Sequence, residues 1–145
     1  MKRFHAVVVL ALLTMSPAFA GVYGDDLSRC LVEKSTAEEK ASLVQWIFVA
    51  MSRHPSVSSF THITAEDVEK YNKIAGELFT RLLTDTCAET SKKAIKYEGA
   101  AAIQSAFQVL GQVAAGELFQ NPEVAAVMGG LDKYLDAKKL ETLTQ

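Results

Sequence analysis

The chain has 145 residues, 49% of them hydrophobic, with 15 Lys and Arg against 17 Asp and Glu. That is enough for one domain with a real core but not comfortably for two. A formal net charge of −2 with scattered lysines argues against nucleic acid, whose binding needs clustered basic groups over phosphates; the pairs Lys92-Lys93 and Lys138-Lys139 suit solvated helix faces.

Lys2 and Arg3 precede an apolar run from Ala6 to Leu13, and Ala18-Phe19-Ala20 supplies a small-x-small cleavage pattern. These are the parts of a signal peptide. Residues 1–20 are therefore expected to be a cleaved leader, with residues 21–145 forming a single helical domain. The run is shorter than the roughly 20 residues that a membrane span requires, and no cysteine follows the cleavage point to accept a lipid. The product is expected to be periplasmic or secreted, with no stable membrane insertion. Losing Lys2 and Arg3 takes the formal charge from −2 to −4.

Two cysteines, Cys30 and Cys87, are separated by 56 residues. In an oxidising compartment an even count suggests one bridge, worth about 4 kcal/mol in the chain-entropy model. No C-x-x-C spacing points to redox chemistry.

The first helix is expected over 25–34, with Asp25 and Asp26 in its first turn and Leu27, Cys30 and Leu31 facing inward. The second, over 36–53, contains Leu43-Val-Gln-Trp-Ile-Phe-Val-Ala-Met51, with Gln45 as its one polar residue. Its apolar residues fall on all sides of a helix, which predicts a central helix buried nearly all round. Ser35 with Glu38, or Thr36 with Glu39, is spaced as a capping box. Pro55 disfavours helix at the preceding residue, and a polar serine-rich loop is expected over 56–63.

Thr64 is placed as the N-cap of a third helix over 65–83, whose stripe runs through Val68, Tyr71, Ala75, Leu78, Phe79, Leu82 and Leu83. Cys87 continues that stripe, and Thr84-Asp85-Thr86 reads as a helix end or a local irregularity, because short polar side chains compete for backbone hydrogen bonds. A long helical segment is expected within 88–119, breaking near Gly99. Residues 99–116 carry no charge, while Gln104, Gln108 and Gln112 recur every fourth position as a polar ridge opposite Ile103, Phe107, Leu110, Val113 and Ala114. Two expectations follow: a second central helix packed through Ala and Gly, or a contact surface, since depletion of charge marks interface cores. Asn121-Pro122-Glu123 starts a last helix over 122–135, with Val124, Val127, Met128 and Leu131 on one side and Gly129-Gly130 interrupting it. The tail beyond is expected to fray.

Chemistry is sparse. His54 and His62 flank the serine-rich loop, but zinc needs three or four ligands and no other His or Cys is near in sequence. Ser56, Ser58 and Ser59 lack a nucleophile-elbow pattern. His54 is expected in a helix's last turn, where its charge would suit the negative end. No catalytic residue, metal site or cofactor is assigned.

Cys30-Leu31-Val32 with Ser35-Thr36, Trp46-Ile47-Phe48 and Met51 to His54-Pro55 resembles the pattern of small exported bacterial all-helical proteins to which no activity is attached. The resemblance covers the first half of the domain after the leader. It implies export and an all-α fold, and no functional residue.

The reading is an all-α bundle of about five helices around a central buried helix, held by one disulfide. Its expected role is a non-catalytic exported interaction protein, homodimeric through Gln104, Gln108 and Gln112 or bound to another exported protein. The loop carrying Arg53, His54 and His62 is the second candidate for such a contact. The competing role is a carrier of a small apolar ligand in a cavity between helices.

Overall fold

A computed structural model describes residues 21–144; the leader assigned to residues 1–20 lies outside them. In chain order the elements are α1 (Val22–Lys34), α2 (Ala37–Met51), a single turn α3 (Pro55–Ser58), α4 (Ala65–Arg81), a π-turn (Leu82–Thr86), α5 (Ala88–Glu98), α6 (Ala100–Phe119) and α7 (Pro122–Gly129). A 3-10 turn (Gly130–Tyr134), α8 (Ala137–Glu141) and a last 3-10 turn (Thr142–Thr144) complete it. Among the described residues there is no strand, as an all-α sequence pattern requires.

Five helices make the bundle. α6 packs against α1, α2 and α5, α1 also packs against α5, and α2 against α4. The ends follow from local chemistry. Thr36 and Glu39 close a reciprocal capping box at the start of α2, and Thr64 and Asp67 do the same for α4. Of the two boxes open to α2, the first is not used: the Ser35 hydroxyl turns back to donate to the Leu31 carbonyl at 2.7 Å and is buried. The long segment over 88–119 breaks at Gly99, which adopts φ +78°, a left-handed conformation that costs glycine nothing.

The polar triplet after α4 is a π-turn. The Cys87 N–H donates to the Leu82 carbonyl, five residues back, at 2.8 Å. The extra residue shifts the buried stripe from a spacing of four to five, so that it runs Leu78, Leu82, Cys87, Ser91 and Ala94. Leu83, which the unbroken helical pattern would align with Cys87, is left half-buried.

The expectation of a central helix around Leu43–Met51 is corrected. In α2 only Leu43 and Val49 are buried, while Phe48 and Met51 are 53% and 60% exposed. α2 is a flank of the bundle, and its excess of apolar residues spills onto the surface. The centre is the α1–α6 pair. α1 contributes Gly24, Leu27, Ser28 and Leu31, and α6 contributes Ala102, Ala106, Leu110 and Ala114. The small residues bring the two backbones close: a Cβ on Gly24 would sit 3.5 Å from the Ala102 Cβ. Large Leu side chains then fill the layer above and below, which is the alternation that dense packing needs.

The sulfurs of Cys30 and Cys87 are bonded, with Cα atoms 6.0 Å apart. The bridge ties α1 to the π-turn at the head of α5. Cys87 is buried, whereas Cys30 is only partly so, contrary to its expected inward placement.

Candidate functional site

Gln104, Gln108 and Gln112 are all exposed on α6, with Ala102, Ala106, Leu110 and Ala114 buried on the side facing the bundle. One side of this helix is therefore core, as expected of a second central helix, and the uncharged ridge is open surface. Of the expected apolar side, Leu110 and Ala114 are buried and Ile103, Phe107 and Val113 are half-buried, and Ala102 and Ala106 share the deep positions.

Arg53, His54 and His62 are exposed. His54 lies beyond the end of α2, not in its last turn. It is the N-cap of α3, its Nδ1 accepting the Ser56 N–H at 3.2 Å. It therefore serves the N-terminus of α3 and not the C-terminus of α2. Neither histidine forms an ion pair with a carboxylate among the described residues, and no cluster of three or more His, Cys, Asp or Glu able to hold a metal occurs among them.

The feature that sequence reading passed over is a pair of apolar grooves on either side of α2. One, of about 430 Å³, is lined by Val44, Gln45, Phe48, Val49, Ile63, Asp67, Tyr71 and Leu118. The other, of about 310 Å³, is lined by Ala37, Lys40, Ala41, Val44, Gln45, Ala114, Glu117, Leu118 and Asn121. Val44, Gln45 and Leu118 belong to both. Phe48 and Leu118 are 53% and 42% exposed, so this is an open groove rather than the enclosed cavity that a carrier was expected to have.

Polar contacts fix its walls. The Lys40 ammonium donates to Glu117 Oε1 at 2.6 Å, joining α2 to α6 across one groove. The Trp46 indole N–H donates to Asn72 Oδ1 at 2.9 Å, joining α2 to α4, and its ring meets Phe79 edge-on at 5.6 Å. Glu39 serves twice: one oxygen accepts the Thr36 N–H of the capping box and the other pairs with Arg81 of α4. Asp67, on the rim of the larger groove, is held below its ordinary pKa of 3.8. The Thr64 hydroxyl, donating at 2.7 Å, is the main cause, with the Thr64 N–H at 2.9 Å next.

From Leu118 the chain passes directly into a segment with no burial of its own. No residue from 115 to 143 is buried. Val127, Met128 and Leu131 are 79%, 61% and 60% exposed, and Phe119, Tyr134, Leu135, Leu140 and Leu143 are exposed too. α7 follows α6 after two residues, capped by Asn121, and packs against α6. Residues 121–144 are thus an arm of short helical pieces on a stapled bundle, its exposed apolar side chains interspersed after Gly130 with charged ones.

Compared with known proteins, the chain matches no family model, no curated protein and no solved structure.

Proposed function

We propose that this is a non-catalytic, exported interaction protein that self-associates, with the C-terminal arm of one copy seated in the α2 groove of another. The carrying observation is the arm's row of exposed large apolar side chains, Phe119 to Leu143, since an apolar surface of that extent is characteristic of a docking element. Three features favour a second copy as the occupant. The arm and an open apolar groove occur in the same chain, so every copy supplies both halves. Leu118 and Asn121 line a groove and lead straight into the arm, which makes the two surfaces continuous. The link between α6 and α7 is only two residues long, which favours reaching a neighbour over folding back along the same α2.

Export is supported by the leader pattern of residues 2–20, by the disulfide, and by the described helices, none of which is long and apolar enough to cross a membrane. The uncharged Gln104, Gln108 and Gln112 ridge is the other candidate dimer face, and one substitution separates the two. Native mass spectrometry of the oxidised exported protein should give a dimer. Leu131→Glu should return it to monomer and Gln108→Glu should leave it dimeric; the reverse pattern would assign the contact to the ridge, and a bare monomer would contradict self-association.

The groove supports a second reading, carriage of a small apolar ligand, because its walls are Val44, Phe48, Val49, Ile63, Tyr71 and Leu118. An extra small-molecule mass on a monomer in the same spectrum would favour it.

A further inference from the structure

Nothing in α1 caps its own N-terminus, because the N-cap residue, Gly21, has no side chain. Glu98, the last residue of α5, takes that role from 74 and 75 positions away. Its Oε1 accepts the Tyr23 N–H at 2.9 Å and its Oε2 accepts the Gly24 N–H at 2.9 Å, the two donors that an Asp or Ser at the N-cap would serve. The approach is close: a Cβ on Gly21 would fall 2.2 Å from Glu98 Oε1, so any other residue here would push the Glu98 carboxylate aside. Tyr23 stacks on Tyr97 with centroids 4.7 Å apart, closing the same corner. Among the described residues no lysine or arginine forms an ion pair with this half-buried carboxylate.

Within one residue the backbone nitrogen lies about 2.5 Å from Cβ, so the Gly21 nitrogen is within about 5 Å of Glu98 Oε1. Gly21 is also the residue at which the leader pattern places the first residue after cleavage. We propose that removal of the leader creates the missing cation: the α-ammonium of Gly21 pairs with Glu98, so that processing completes the cap of α1 and fastens the N-terminus to the α5–α6 corner.

This rests on the leader reading given above. Hydrolysis of the Ala20–Gly21 peptide bond by a peptidase consumes one water; Ala20 leaves with a carboxylate, and the Gly21 nitrogen becomes a primary amine that is mostly protonated at neutral pH. Before cleavage that nitrogen is a neutral amide, and among the described residues Glu98 accepts from the Tyr23 and Gly24 N–H groups. After cleavage it carries a full positive charge that the dipole of α1 by itself disfavours, and the Glu98 carboxylate already in place offsets that charge. A start at Val22 would delete the N-cap, and a start at Ala20 would leave the nitrogen an amide.

The test uses the full chain, expressed in a bacterial host that exports it. The mass of the recovered protein gives its first residue; a start other than Gly21 overturns the leader reading and removes the basis of the pair. With Gly21 first, the α-amine is acetylated at mildly acidic pH, sparing lysines, and urea unfolding is compared for wild type and Glu98→Gln, each with and without acetylation. The pair requires acetylation to lower the folding equilibrium constant about threefold in wild type and to have little effect in Glu98→Gln. Equal losses in both overturn the pair while leaving the leader intact. Should Glu98→Gln fail to fold, hydrogen exchange in wild type decides: the Tyr23 and Gly24 amides must exchange faster after acetylation, and unchanged protection overturns the proposal.

Discussion

α1 and α7 carry the same kind of apolar spacing and meet opposite fates. Leu27 and Leu31 of α1 are fully buried, whereas Val127 of α7 and Leu131 just beyond it are 79% and 60% exposed. The difference lies in what faces them. α1 meets a row of alanines on α6 that admits its backbone closely, and it is held there by the Cys30–Cys87 bridge and the Glu98 cap. α7 packs against α6 and the 3-10 turn that follows it, and among the described residues its apolar stripe stays exposed. Periodicity specifies which face is sticky; small residues opposite it decide whether the face is satisfied.

The comparison breaks most readily at the staple. Replacing Cys30 and Cys87 by Ala should lower the stability of the bundle by about 4 kcal/mol, read by denaturant unfolding, with no effect on the arm. Leu110→Ala, at a side chain that is 1% exposed, should cost about 3 kcal/mol. Leu131→Ala should change monomer unfolding by no more than about 0.5 kcal/mol, and equal losses at the two positions would erase the distinction between bundle and arm. Gly99→Ala forces a Cβ into φ +78° and should cost about 1 kcal/mol; no loss would mean that the α5–α6 break tolerates other geometry.

The smallest effect is one of pH. Because the folded-state pKa of Asp67 is depressed, its capping contribution is present above the ordinary carboxylate pKa and is lost as pH falls through the lowered value. Amides at the start of α4 should therefore lose exchange protection in acid, and Asp67→Asn should remove most of that pH dependence.

Much of the bundle was legible. The Thr64 cap, the break at Gly99, the Asn121-Pro122 start and the one available cysteine pairing are local signals, and each appears in the structure. The place of α2 was not legible, because a helix apolar all round looks alike whether it is central or is a flank that leaves Phe48 and Met51 exposed. The π-turn was signalled only as irregularity at Thr84-Asp85-Thr86, since its function, rephasing the stripe onto Cys87, depends on which residues α1 and α6 present. Glu98 left no signal at all: a cap that acts from 75 residues away has no spacing rule. The groove likewise arises from three separate helices and the loop residue Ile63.

The most direct measurement of self-association through the arm is hydrogen exchange of the oxidised protein across a concentration series. Amides of residues 122–134 and of α2 should gain protection together as concentration rises, while α1 and the core of α6 stay unchanged. Protection of the arm that is the same at every concentration, or absent at all of them, would contradict the arm's docking on a second copy.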